Sequence, residues 1–304
     1  MTRLTACLPA GFRRMSGKTG GETVGETLEA LISRLEMTSD TPDLDAQVLL
    51  AHLLEKPRSW VLAHPEVLLT GNMFDALDAL ALRLEAGDPI PYILGSWEFF
   101  GLEFEVTPDV LIPRHETEML VERAISWLRN SVSGKRGLRV LDVGTGSGCV
   151  AISLAVNIPG LSITAIDISP GALKVAHANA DKMNASGGIT FLEADLFSNP
   201  LTPGSFSLIV ANPPYIPTDT LHTLPIYGRE PTLALDGGSD GLALIRRLLN
   251  EAPARLLSGG MLLMEIEASE GTAVLSLASA AFPKARIQLH KDLAGHDRLL
   301  EVQV

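Results

Sequence analysis

Asn212-Pro-Pro-Tyr215 follows directly on the apolar run Leu208-Ile-Val-Ala211, and those residue types in that order point to one kind of chemistry. Neither Pro213 nor Pro214 can donate to a sheet ladder, so a strand entering from Leu208 must end there. Asn212 precedes a proline and is biased to extended backbone. A primary amide is thereby held out at a strand's carboxyl end, with the Tyr215 ring beside it. In open α/β sheets ligands bind just outside such ends. An amide carbonyl and a ring are poor nucleophiles and poor acids. They suit gripping a flat NH2-bearing group, the carbonyl accepting its N–H bonds and the ring stacking on its face.

The elements that must position this amide lie upstream. Leu138-Arg-Val-Leu-Asp-Val143 reads as a strand, followed by Gly144-Thr-Gly-Ser-Gly148 and a helix through Ile152, Leu154 and Ala155. Glycines let the backbone approach a ligand closely, and the helix start presents free N–H groups. The spacing is G-x-G-x-G; a dinucleotide fingerprint would need glycine where Cys149 stands. A second strand, Ile163 to Asp167, ends in an acid 23 residues after Gly144, placed to accept both hydroxyls of a ribose. A third, Ile189 to Leu192, leads into Glu193-Ala-Asp195-Leu-Phe197, a carboxylate with apolar cover where an adenine could lie. Strands alternating with helices imply an α/β domain with a mostly parallel sheet, and four strand ends face one crevice.

Ahead of this domain, Val24, Leu28, Leu31, Ile32 and Leu35 form one helical stripe. Leu44, Val48, Leu49 and Leu53 form a second after Ser39-Asp-Thr-Pro42, and Phe74, Leu77, Leu80 and Leu84 a third. Residues 22–88 therefore read as a helical bundle. Residues 89–115, with Leu102, Phe104 and Val106 alternating, read as a β-hairpin linker in which Trp97, Phe99 and Phe100 pack. Glu116 or Thr117 is placed to cap a helix through Met119 and Ile125, and the larger domain covers 116–304. Residues 1–21 read as a disordered tail; the basic stretch within 1–20 has a weak likeness to an organelle transit peptide. No apolar run approaches the ~18 residues of a membrane span. A net charge of −12 weighs against a polyanionic partner. Cys7 and Cys149 make no disulfide framework and no Cys/His cluster has zinc spacing, so a cytoplasmic protein without a metal ion is expected.

These residues carry a resemblance. The Asp142–Gly148 loop, Asp167, Asp195-Leu-Phe197 and Asn212-Pro-Pro-Tyr215 resemble class I S-adenosylmethionine-dependent methyltransferases of the amino-methylating group. Pro91-Tyr-Ile-Leu-Gly95, Leu111-Ile-Pro-Arg-His-Glu-Thr-Glu118, Glu230-Pro231, Ala234-Leu-Asp-Gly-Gly238 and Lys291 to Arg298 are similar, more narrowly, to the protein-(glutamine-N5) methyltransferases of peptide chain release factors. The chain departs from that pattern at Glu267 and Glu270, where the family tends to glycine and glutamine, and at Tyr227-Gly-Arg229. The resemblance implies a Rossmann-like, doubly wound sheet of seven strands, S-adenosylmethionine as cofactor and class I release factors as partners, with a monomer and no stable nucleic-acid binding expected. It assigns Asp142, Gly144, Thr145, Gly146, Ser147, Gly148, Asp167, Asp195, Leu196 and Asn212 to the cofactor. Asn212, Pro213, Pro214 and Tyr215 fall to the substrate, with Asn212, Pro213 and Tyr215 acting in catalysis.

A glutamine side-chain nitrogen is a poor nucleophile because its lone pair is delocalised. Asn212 Oδ1 and the Pro213 carbonyl can accept its two N–H bonds and turn it towards a methyl group, with Tyr215 stacked on the amide plane. His115 and His296 are the candidate bases on paper, but lone histidines are more often structural. Other functions compete: glutamine methylation of a ribosomal protein, N6-adenine methylation by the same grip on a flipped base, a non-catalytic binding module, and an NAD-dependent oxidoreductase. The acidic balance, the intact Asn212–Tyr215 motif and Cys149 count against the last three in turn.

Overall fold

The computed structural model describes residues 21–132, 137–198 and 206–304, so the tail expected over residues 1–20 falls outside the described chain. Contacts divide the chain after Leu94 into two compact units. The first is helical. Thr23 opens α1 (Val24–Leu35) with a reciprocal cap: its hydroxyl accepts from Glu26 N, and the Glu26 carboxylate accepts from Thr23 N. Pro42 stands in the first turn of α2 (Pro42–Leu54), where a missing N–H costs nothing. The short α3 (Arg58–Ala63), then α4 (Gly71–Glu85) and α5 (Ile90–Leu94), complete the unit. Val24, Leu31 and Leu35 are fully buried against Leu49, Leu50, Leu77 and Ala81, as their stripes require. Arg34 fastens α1 to α4 by donating from Nε and Nη2 to the two oxygens of Glu85, at 2.6 and 2.9 Å.

Only part of the expected hairpin linker is a hairpin. Ile90–Leu94 is helical, and Ile93 packs into the bundle core. The hairpin proper is β1 (Ser96–Phe99) paired antiparallel with β2 (Leu102–Glu105). Its turn at Phe100-Gly101 is closed by two carboxylates, Glu98 accepting from Gly101 N and Glu118 from Phe100 N. Those two acids and His115 bring their ligand-type atoms within 4.8 Å of one another; both acids serve the turn. Phe99 and Phe104 are fully buried in the core of the larger unit, so these aromatics are packing residues.

The larger unit continues with α6 (Glu118–Val132), β3 (Arg139–Val143), α7 (Cys149–Asn157), β4 (Ser162–Asp167), α8 (Pro170–Lys182) and β5 (Ile189–Glu193). After these come β6 (Phe206–Ala211), α9 (Thr218–Leu221), α10 (Ala243–Glu251), β7 (Leu256–Glu265), α11 (Gly271–Ala281), β8 (Arg286–Lys291) and β9 (Asp297–Gln303). Seven strands form one sheet in the order β5-β4-β3-β6-β7-β9-β8. Six strands point one way, and β9 alone is reversed, antiparallel to both β7 and β8. Side chains alternate along β6: Leu208 and Val210 enter the core beneath α6 and α7, Ile209 and Ala211 the core beneath α10 and α11. A strand covered on both faces must read as a continuous apolar run, which is why Leu208–Ala211 is unbroken. The chain moves outward from β3 to β4 and β5, then returns to β6 on the other side of β3. That switch point is where open α/β sheets take ligands. Val143 pairs with Ala211 there, so the glycine loop and Asn212 leave adjacent strands side by side. Among the described residues no helix is long and apolar enough to cross a membrane.

Candidate active site

The loop after β3 is shaped by its glycines and fastened by β4. Gly144, Gly146 and Gly148 all have left-handed φ, at 72°, 54° and 82°. A Cβ at Gly148 would lie 2.8 Å from Ile152 Cδ1, so the last glycine lets α7 begin against the loop. At Gly144 and Gly146 a Cβ would meet nothing within 4 Å; these two line an open cradle. Gly144 N and Thr145 N donate to Ile166 O at 2.9 Å. Gly146 N donates to Asp167 Oδ2 and Ser169 N to Asp167 Oδ1, each at 2.9 Å. Burial holds the Asp167 carboxyl above its ordinary value. Each of its oxygens keeps a lone pair for a ligand hydroxyl.

The other loop residues face inward. Thr145 donates to Asp142 Oδ2 at 2.6 Å in a buried pair, and burial pushes the Asp142 carboxyl up to about 7. Thr145 and Ser147 are almost wholly buried. Asp142, Thr145 and Ser147 are therefore buried within the loop, and its open side at Gly144 and Gly146 is backbone. Burial raises the Cys149 thiol to about 12, which removes it as a nucleophile. Asp195 is exposed, its two oxygens 3.0 Å from Arg247 Nη2, while Leu196 beside it is buried with left-handed φ.

Asn212 is set by residues that local sequence does not connect with it. In the parallel register Ala211 pairs with Met264, so Asn212 and Glu265 leave neighbouring strands at one level. Thr117 joins them: Asn212 Nδ2 donates to Thr117 Oγ1 at 3.1 Å, and Thr117 Oγ1 donates to Glu265 Oε2 at 2.6 Å. The side-chain cap expected from Glu116 or Thr117 is replaced by a single 3₁₀ turn, His115–Thr117, running into α6, because the threonine hydroxyl is spent on this chain of bonds. With Nδ2 committed, Asn212 Oδ1 faces elsewhere. Among the described residues neither Oδ1 nor the Pro213 carbonyl accepts a hydrogen bond. Burial raises the Tyr215 hydroxyl above its ordinary value, so Tyr215 stays a neutral phenol, partly buried against the core beneath α10 and α11. His115 and His296 are surface residues engaged with Glu118 and Asp292.

The segment after Pro214 is pinned by the remaining motifs. Ile216 N donates to Leu235 O and Gly237 N to Ile216 O, while Asp236 accepts from Thr218 Oγ1 and Gly238 N. Glu230, buried, accepts from Arg114 Nη2 at 2.7 Å and Ile112 N at 3.0 Å. That clamp joins the Ile112-Pro-Arg114 turn to the Glu230-Pro231 turn. Asn179 on α8 is fully buried and satisfied three times: Glu105 N donates to its Oδ1 at 2.7 Å, and its Nδ2 donates to Glu105 O at 3.0 Å and Ser147 O at 2.9 Å. Thr117, Glu265 and Asn179 make bonds here that sequence reasoning misses: Thr117 reads there as a helix cap, Glu265 leaves a trace as a lone acid closing the apolar strand from Met261, and Asn179 leaves none.

Two family models match the chain, the PrmC N-terminal domain over residues 26–95 and the methyltransferase small domain over residues 120–223. The release factor glutamine methyltransferase of Coxiella burnetii is 39% identical over 278 residues, covering 91% of this chain and 98% of its own. That of Vibrio cholerae is 40% identical over 280 residues, covering 91% and 95%. Among solved structures, the hMettl16 catalytic domain in complex with MAT2A 3′UTR hairpin 6 superposes with a TM-score of 0.52 at 15% identity, over 75% of this chain and 82% of that one. That likeness speaks for the fold alone, the class I methyltransferase sheet. The two relatives add what a fold cannot, an identity near 40% carried along 91% of the sequence, and on that ground the chain belongs to the release factor glutamine methyltransferase family.

Proposed function

We propose that the protein transfers a methyl group from S-adenosylmethionine to the N5 side-chain amide of the glutamine in a Gly-Gly-Gln loop of class I peptide chain release factors. The observation that carries this reading is the pair of unclaimed acceptors, Asn212 Oδ1 and the Pro213 carbonyl, next to each other at the end of β6. Two N–H bonds from one primary amide match two acceptors. Held this way, the amide nitrogen presents its face to the cradle of Gly144 and Gly146, and the Tyr215 ring covers the amide plane. S-adenosylmethionine, when bound, supplies a methyl group on a positively charged sulfur. Its ribose suits Asp167 and its backbone-lined cradle suits a close approach. Transfer would form the nitrogen–carbon bond as the sulfur–carbon bond broke, with the nitrogen giving up one proton to water. The protein's part is alignment, which can contribute ~7–11 kcal/mol.

The bundle supports a protein acceptor. Residues 21–94 hold 13 Asp and Glu against 4 Lys and Arg, a net −9 of the chain's −12. Such an acidic bundle favours an acceptor that docks through a basic face. A nucleic-acid acceptor would be repelled. The test uses isotopically labelled S-adenosylmethionine with an intact release factor, a short Gly-Gly-Gln peptide and duplex DNA in parallel. Label is expected on the glutamine of both protein substrates and not on DNA. Added salt is expected to depress transfer to the intact factor more than transfer to the peptide. Label on DNA alone would sink the reading; equal salt sensitivity would remove the bundle from docking.

A further inference from the structure

We propose that Thr117 and Glu265 are positioning residues for methyl transfer, acting as a two-bond brace that fixes which atom of the Asn212 amide faces the acceptor. The proposal rests on Asn212 being the grip for the substrate amide. A primary amide has two nearly isosteric ends, and turning it over by half a rotation exchanges an acceptor for a donor. In the crevice that exchange would set an NH2 group against the incoming NH2 group, leaving one of the substrate's two N–H bonds unmet and the Pro213 carbonyl as its sole acceptor. Nothing on Asn212 itself prevents it.

The brace does. Glu265 lies buried at the end of β7 and, as a carboxylate, can only accept. Its Oε2 takes the Thr117 proton at 2.6 Å. The threonine oxygen, having given its one proton away, can only accept from Asn212, and does so from Nδ2 at 3.1 Å. Polarity therefore runs one way along the chain and leaves Oδ1 for the substrate. Three elements meet to build it: the end of β6, the end of β7 and the turn before α6. The methyl group of Thr117 adds packing but no polarity, so the hydroxyl alone carries the effect.

The brace depends on Glu265 being ionised. Burial raises its carboxyl to about 7, against the opposing pull of Thr117, Arg298 on β9 and Arg114, with Glu116 adding to the rise; Tyr215 also faces it. Below that pH Glu265 gains a proton and can itself donate to Thr117. The threonine proton is then free to point at Asn212, and the reversed amide is no longer excluded. Turnover should accordingly fall as pH drops through about 7.

The experiment compares the full chain with Thr117→Val, Thr117→Ser and Glu265→Gln on the Gly-Gly-Gln peptide. Wild-type turnover on that peptide tests the grip itself; the ratios between variants test the brace. Thr117→Val is expected to lower kcat by roughly ten- to a hundred-fold with S-adenosylmethionine affinity and peptide KM little changed, and Thr117→Ser to restore most of the loss. Thr117→Ala repeats the valine result if valine crowds Glu265. The acid limb of the wild-type kcat profile should vanish in Glu265→Gln, which has no proton to gain. Wild-type kcat in folded Thr117→Val, a serine variant as impaired as the valine one, or an unchanged acid limb in Glu265→Gln would each overturn the proposal.

Discussion

Asn212→Ala lowers the single-turnover rate of methyl transfer by about 10²–10³-fold, on the scale seen when one preorganised hydrogen-bonding group is removed at a reacting centre. The substitution deletes Oδ1 and leaves the Pro213 carbonyl as the sole acceptor, so the substrate nitrogen is free to rotate. Binding of S-adenosylmethionine should change little, because Asp167 and the Gly144–Gly148 backbone do not depend on the Asn212 amide. The result separates alignment from affinity. A mutant that matches wild type in a single-turnover measurement would falsify the gripping role. Asn212→Asp is the sharper control: a carboxylate keeps acceptor oxygens but cannot donate to Thr117, so it loses the brace while keeping the grip.

Asp167→Ala weakens S-adenosylmethionine binding roughly ten- to a hundred-fold, since a hydrogen bond to a charged group contributes ~1.5–3 kcal/mol. Two effects add. The ribose hydroxyls lose their acceptor, and Gly146 N and Ser169 N lose the carboxylate that now holds each of them at 2.9 Å. Asp167→Asn should be milder, because one amide oxygen still accepts. Calorimetry on the folded variant decides the matter: unchanged affinity would take Asp167 out of the cofactor site. Asp195 should behave differently. Its carboxylate is exposed and already engaged by Arg247, so its removal costs the cofactor much less than removal of Asp167.

What was legible in the sequence was local. Two prolines after an apolar run can only end a strand, so Asn212 announced its own position. Alternating strands and helices announced the parallel sheet, and the spacing from Gly144 to Asp167 announced the crevice. What stayed hidden depended on register between distant segments. Thr117 reads as a helix cap until β6 and β7 are seen to end together beside it. Asn179 carries no signal in the sequence until Glu105 is placed against it. The inward turn of Asp142, Thr145 and Ser147 is likewise invisible, because a glycine loop presents the same sequence whether its side chains face a ligand or the core. The short α5 is hidden for another reason. Five residues make less than two helical turns, too few to show a stripe.

The Asn179 amide has a dynamic consequence. Its three bonds tie β2 of the hairpin to the cofactor loop through one rigid planar group, so neither can open while the other stays closed. Local opening of the two should be a single cooperative event. By reciprocity, whatever stabilises the loop stabilises the hairpin by the same free energy that opening the hairpin takes from the loop. Adding S-adenosylmethionine should therefore slow hydrogen exchange at Glu105 N, on a strand with no assigned contact to the ligand, together with the amides of Gly144 to Gly148. Asn179→Ala should leave the loop responsive and the hairpin indifferent. If the hairpin amide slows equally in that variant, the coupling runs by another route. The hairpin begins at Ser96, two residues after Leu94, where the larger unit starts, so slower exchange there would mean that a filled cofactor site stiffens the very start of the unit that contains it.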